Sequence, residues 1–161
     1  MIYTYLETPI GPLLLAGEER LRKISFPGGN KAFPPEPGWR RDDEAFREAR
    51  TQLTEYFAGK RRQFALDLDI RGTPFQRRVW EALRGIPYGQ TCSYGTIAAT
   101  IGAPNAMRAV GAANGSNPLP VVVPCHRVIG SNGKLTGFGG GLPTKQYLLD
   151  LEQGRVPLPL F

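Results

Sequence analysis

The sequence predicts a mixed α/β (α+β) protein of two compact parts, a small sheet-plus-helix domain over residues 1–70 and a mostly helical domain over 71–161. Three observations lead there. The first 26 residues alternate and are broken by turn residues, as antiparallel strands do. From residue 73 onward the apolar spacing lengthens to that of helices. Between them, the short polar stretch "DIRG" (69–72) reads as a join. The 161 residues, 41% hydrophobic and 21% charged, suffice to bury a core. No apolar run approaches the roughly 20 residues of a membrane helix. The start, "MIYTYLETPIGPLLLAG", lacks the basic and apolar blocks of an export signal, so the expected location is the cytoplasm.

Taken in order, "IYTYLETPIGPLLLAGEERLRKISF" gives two or three strands, interrupted at residues 9–12 and 17–20. The Pro- and Gly-rich "PGGNKAFPPEPGW" is a loop. A helix is expected from Asp42, with Phe46, Ala49, Leu53, Tyr56 and Phe57 on one face and Gly59 at its end. "FALDLDI" (64–70) reads as a further strand. This first domain shows no evident chemistry.

In the second domain, Thr73 and Gln76 have capping-box spacing, Pro74 fits the first helical position, and Phe75, Val79, Leu83 and Ile86 form one face. A short helix from Ser93, a turn at 102–104 and a second helix to about Gly115 match a helix-turn-helix. Asn132-Gly133 signals a hairpin. A glycine loop then leads into a helix bearing Leu148, Leu149 and Leu151.

On the second helix of the pair, Met107 and Val110 are expected to point inward, leaving Arg108, Gly111, Ala112 and Gly115 outward. So small a face suits close approach to a DNA backbone better than reading of base edges, although close helix packing would also favour Ala and Gly. Twenty Lys and Arg against fourteen Asp and Glu, a net charge of +6, fit a polyanionic partner or simply a solvated basic face.

The scarce chemistry sits in "LPVVVPCHRVIG" (119–130), where Cys125 adjoins His126, the sole histidine. A free thiol is mostly protonated at neutral pH, and a nearby imidazole could take its proton. Neighbours on an extended strand face opposite ways, so the pair needs a bridging water or a bend at Cys125, which Pro124 favours. Beyond Cys125 only Asp150 and Glu152 are acidic, and Glu152 is the choice to orient the imidazole. A buried cysteine beside a satisfied histidine is the plain alternative, and Cys92 is read that way. No metal is expected, since Cys92, Cys125 and His126 lack ligand spacing. No cofactor is implied.

"PCHRVIG", preceded by "GSNPLPVVV" and followed by "GKLTGFGGGLPTKQYLLDLE", resembles the active-site region of the O6-alkylguanine-DNA alkyltransferases, the methylated-DNA-protein-cysteine methyltransferases. "TPIGPLLLAG", "RGTPFQRRVWEALRGIPYGQTCSYGTIA" and "RAVGAANGSNP" extend the resemblance along the chain in the family's order. It implies a ribonuclease-H-like first domain and a monomer that grips double-stranded DNA in the minor groove. The damaged guanine would be flipped out and its O6 alkyl group moved irreversibly onto Cys125, with O4-alkylthymine as a second candidate substrate. By the same resemblance His126 and Glu152 form the activating relay through water, Tyr94 hydrogen-bonds the flipped base, Arg108 fills the vacated stack and Asn117 braces the turn. Ala106, Ala109, Gly111 and Ala112 would face the DNA. Val128, Phe138, Gly139 and Gly140 would line the base pocket, with backbone amides of 138–141 dispersing charge. Phe138 and Gly139 stand where some members carry tyrosine and serine, which implies altered adduct preference.

Two other readings stand beside this one. A non-catalytic helix-turn-helix lesion binder would tolerate serine at Cys125, and a cysteine hydrolase would turn over repeatedly on an ester or amide.

Overall fold

A computed structural model describes residues 1–26, 35–133, 138 and 141–156. Strands β1 (Ile2–Leu6), β2 (Leu13–Gly17) and β3 (Leu21–Ser25) form an antiparallel meander. The first turn is closed by Thr8, whose hydroxyl donates to the Gly11 carbonyl at 2.6 Å. A two-residue strand β4 (Arg40–Arg41) runs parallel beside β1, giving the order β3-β2-β1-β4. Every residue of β2 is buried, as a central strand covered on both faces requires.

Helix α1 (Arg47–Phe57) lays Ala49, Leu53, Tyr56 and Phe57 into the core. It starts five residues later than the periodicity predicts. Residues 43–46 form a turn, and Phe46 adopts φ 55°, a left-handed conformation that cannot extend a right-handed helix. Residues 64–70 also depart from expectation. They make no strand and join the sheet only through a parallel bridge from Leu68 to Leu21. Polar Asp67 and Asp69 are drawn instead to Arg20 and Arg22.

Helix α2 (Pro74–Arg84) begins as its sequence dictates. Thr73 accepts the Gln76 amide at 3.1 Å, and the Gln76 side chain accepts the Thr73 amide at 2.9 Å. Its buried face is Val79, Trp80 and Leu83, and the Trp80 indole donates to the Ala113 carbonyl at 2.8 Å, tying α2 to α4. Strand β5 (Cys92–Ser93) leads into α3 (Tyr94–Thr100), capped by the Ser93 hydroxyl. Gly102, at φ 77°, ends α3 in a Schellman arrangement, its amide bonding Ala99 and that of Ala103 bonding Ala98. Helix α4 (Met107–Gly115) completes the helix-turn-helix.

A single turn of 3-10 helix covers Cys125–Arg127 and runs into β6 (Val128–Ile129), which pairs parallel with β5. The turn at Asn132-Gly133 is present, with the Gly133 amide on the Gly130 carbonyl at 2.8 Å. The returning arm of the expected hairpin lies outside the described residues. Helix α5 (Leu142–Glu152) closes the chain's core with Leu148 and Leu151. Among the described residues no helix is long and apolar enough to cross a membrane.

One buried cluster joins the sheet, α1 and the helical domain. The Ile24 amide of β3 donates to the Pro118 carbonyl at 2.9 Å, so the sheet also braces the segment that delivers Cys125.

Candidate active site

The segment before Cys125 is bent by its own sequence. Pro124, at φ −81° and ψ 66°, makes an inverse γ-turn, with the Cys125 amide on the Val123 carbonyl at 2.8 Å. Cys125 and His126 therefore sit in a helical turn, not on the extended strand that the apolar run suggests. Val121 adopts φ 75°, which a β-branched residue rarely does. Asn117 holds this path from both ends of its amide, donating to the Val123 carbonyl at 2.8 Å and accepting the Leu119 amide at 2.9 Å. Cys125 is 4% exposed.

His126 is fully buried. Its Nε2 lies 2.7 Å from Glu152 Oε2. Arg127 grips the same carboxylate as a fork, Nε to Oε1 at 2.8 Å and a terminal nitrogen to Oε2 at 3.0 Å, while its other nitrogen donates to the Ile86 carbonyl at 2.6 Å. The Tyr56 hydroxyl reaches in from α1 and donates to Oε2 at 2.6 Å, and the Gly89 amide donates to Oε1 at 3.2 Å. Gly89 holds φ 79°, and a Cβ there would press on the Glu152 carbonyl at 3.2 Å.

Burial alone would raise the Glu152 carboxyl, but the hydrogen bonds and charges of His126 and Arg127 override it and hold the group well below the usual carboxylate range. An ionised carboxylate only accepts, so His126 must carry its proton on Nε2. Burial lowers the imidazole below its ordinary 6.5 against the pull of Glu152, with Arg127 and Lys145 adding to the lowering. The neutral ring then presents the Nδ1 lone pair, which has no hydrogen-bond partner among the described residues. That is the form of a general base beside a thiol. Lys145 is also fully buried, its ammonium on the Val128 carbonyl at 2.6 Å. Burial lowers its pKa and the charge at Cys125 raises it, so the Lys145 cation and a Cys125 thiolate favour each other.

This network makes the fold acid-sensitive. The folded-state pKa values of His126 and Glu152 both lie below their unfolded values, so the unfolded chain binds more protons and stability falls with falling pH. The thermal midpoint is expected to hold above about 6.5, to drop below it as protonation of His126 is forced, and to drop further below 4.5 as Glu152 is protonated and loses the charge its donors hold. His126→Gln should remove the upper part of that decline alone. An unchanged profile in that variant would contradict the assignment.

The helix-turn-helix stands next to this turn. The pairing of Cys92 with Val128 and Ser93 with Ile129 places Tyr94, the first residue of α3, at the end of the active-site strand. Gly111 of α4 leaves room for the Tyr94 ring, which a Cβ there would meet at 4.0 Å. Arg108, Ala109 and Ala112 are exposed, and Ala106 and Gly111 half-buried, so these five share an accessible face. Arg108 makes no ion pair among the described residues. Met107 corrects the expected facing: it is 50% exposed and belongs to the outer face, while Val110, Ala113 and Asn114 are buried. From Glu81 to Asp150 no acidic residue intervenes, which keeps this surface free of repulsion toward a polyanion.

Of the expected pocket residues, Val128 is buried and Phe138 packs its ring 5.6 Å from Phe26 of the first domain. Gly139 and Gly140 lie outside the described residues. The Gly141 amide is not free to stabilise charge, because it bonds the Phe138 carbonyl at 2.9 Å.

Sequence reasoning missed Tyr56, Arg127, Lys145 and Asn114. The last is buried, its amide nitrogen 3.4 Å from the Cys125 carbonyl. The adjacency of Arg127 to Cys-His was the available signal. Tyr56 gave none, being indistinguishable from its apolar neighbours on α1.

Comparison with known proteins bears on the same residues. Residues 1–70 match the family model described as the ribonuclease-like domain of 6-O-methylguanine DNA methyltransferase, and residues 74–154 match its DNA binding domain. A methylated-DNA–protein-cysteine methyltransferase of Methanosarcina acetivorans is 53% identical over 153 residues, covering 94% of this chain and 98% of that one. The OGT protein of Mycobacterium tuberculosis, solved in complex with DNA, superposes with TM-score 0.91 at 51% identity, covering 98% of this chain and 96% of that one. A structure of the O6-methylguanine methyltransferase from the same organism gives TM-score 0.88 at 52% identity, covering 96% and 94%.

Proposed function

The chain belongs to the 6-O-methylguanine DNA methyltransferase family, and we propose that it repairs O6-alkylguanine in double-stranded DNA by moving the alkyl group onto its own Cys125, once per molecule. The observation that carries this reading is the buried imidazole of His126, one residue from the thiol, tied at Nε2 to Glu152 and with no partner for Nδ1 among the described residues. In this reading the protein acts as a monomer in the cytoplasm and divides near residue 70, which is supported by one family model ending at residue 70 and the next beginning at 74.

The steps follow from the residues. The helix-turn-helix lays the small face of Ala106, Ala109, Gly111 and Ala112 against the minor groove. The target base swings out, which costs a few kcal/mol of stacking, and Arg108 stacks in the gap. The Cys125 proton passes through water to His126 Nδ1, and the resulting imidazolium is held by Glu152. The thiolate sulfur then attacks the alkyl carbon, a carbon–sulfur bond forms, and the carbon–O6 bond breaks with its electron pair remaining on guanine. Tyr94 donates a hydrogen bond to that developing charge, and the proton held by His126 returns through water to the guanine anion, leaving neutral guanine and a neutral imidazole. Val128, Phe138, Gly139 and Gly140 shape the base pocket, and Asn117 fixes the approach of Cys125. A thioether does not revert, so the protein is consumed.

Arg108→Ala is expected to slow transfer from duplex DNA about 10-fold or more, since base stacking contacts are worth about 1–3 kcal/mol. Transfer from a free O6-alkylguanine base should change by less than about twofold, because no stack needs filling. Equal losses on both substrates would remove Arg108 from the flipping step. The reaction itself is tested on the DNA: a duplex with one O6-methylguanine should end with unmodified guanine at that position by nucleoside analysis. Release of a free base or a strand break would contradict direct reversal.

A further inference from the structure

We infer that Tyr56, on α1 of the first domain, is a positioning residue for the transfer: its hydroxyl, shared with His126 on Glu152 Oε2, sets how strongly the carboxylate pulls on the imidazole. This rests on the reading of Cys125 as acceptor and His126 as its base.

Glu152 is oversubscribed. Oε2 receives Tyr56 at 2.6 Å, His126 at 2.7 Å and Arg127 at 3.0 Å, and Oε1 receives Arg127 at 2.8 Å and Gly89 at 3.2 Å. A carboxylate offers about four lone-pair positions, two on each oxygen, so the three donors on Oε2 compete. Each one withdraws electron density that the others would use. The phenol stays a donor throughout the working range, because burial and then the Glu152 charge raise its pKa. A fully buried tyrosine needs some acceptor, and a backbone carbonyl would serve a purely structural role. Here the acceptor, 96 residues away, is the group that fixes the tautomer of His126.

The other groups around the pair are accounted for. Tyr88, between α2 and β5, and Arg127 act on Glu152 and Tyr56, Arg127 and Lys145 act on His126, and Lys145 also feels Cys125. Removing the Tyr56 hydroxyl leaves the charges of Arg127 and Lys145 in place and takes away one of the three donors on Oε2. Without it Glu152 becomes a stronger acceptor, imidazolium is favoured, and His126 stays protonated to a higher pH.

The test is the single-turnover rate of methyl transfer to Cys125 from an O6-methylguanine duplex, measured across pH. Tyr56→Phe should move the acid limb upward by about half a unit to one unit, a shift that a merely structural role would not produce. Phe57→Leu serves as the structural control, since Phe57 packs edge-on against Tyr56 at 5.2 Å without bonding Glu152. It should lower the thermal midpoint and leave the limb in place. If Tyr56→Phe does not fold, fluorotyrosine placed at residue 56, a stronger donor, should move the limb downward. A limb that stays at its parent position in the variant that folds overturns the inference. A parent protein that transfers no methyl at all overturns the underlying reading, and this inference with it.

Discussion

Cys125→Ser is expected to bind a lesion-bearing duplex as tightly as the parent and to accept no alkyl group. The substitution is nearly isosteric at a site only 4% exposed, so the turn built by Pro124 and Asn117 should persist. What changes is the nucleophile. A thiol gives up its proton to a neighbouring base such as His126 far more readily than a hydroxyl does, and the hydroxyl attacks an alkyl carbon far more slowly. Duplex binding by gel shift and adduct formation by mass spectrometry should therefore separate cleanly. A Cys125→Ser protein that still gains the alkyl group would move the acceptor elsewhere.

Glu152→Gln should be the most damaging change to the fold, lowering unfolding stability by about 3–5 kcal/mol, because it removes one partner of a buried charge pair. Arg127 would keep its cation with the Ile86 carbonyl as the only remaining acceptor shown for it, and the new amide would turn a donor toward donors already in place. Transfer should slow by at least about 100-fold, the usual range for losing support to a general base. Urea unfolding and single-turnover kinetics test the two effects separately. Stability within about 1 kcal/mol of the parent would mean that the carboxylate is not the anchor its five donors suggest.

The parts of this molecule legible in the sequence are those whose cause is local. Thr73, Pro74 and Gln76 start α2 by bonds between neighbours, and Gly102 ends α3 because the next turn needs a positive φ. Scarcity narrowed the partner of His126, the sole histidine, to Asp150 or Glu152 without deciding between them, and the 2.7 Å contact falls on Glu152. Residues 64–70 alternate like a strand, yet only Leu68 finds a bridge, because strand formation depends on a neighbour that the pattern does not specify. The two-residue β4 is defined by β1 alone, through the pairing of Ile2 with Arg40 and Tyr3 with Arg41. Met107 looked apolar and therefore inward, but the buried face of α4 is made by Val110, Ala113 and Asn114, and Met107 is left half-exposed. Tyr56 and Arg127 depend on partners 96 and 25 residues away, and spacing on a helix fixes a side chain's face without naming what its polar tip will meet. The first domain, which showed no chemistry in its sequence, thus contributes a hydroxyl to the site.

The measurement that bears most directly on the central claim is the intact mass of the protein after incubation with excess duplex carrying one O6-methylguanine, followed by peptide mapping. One methyl group per molecule, located on Cys125, with no further DNA repaired after the protein is used up, is the predicted result. A protein that binds the duplex but keeps its mass, or one that repairs many duplexes per molecule, would contradict it.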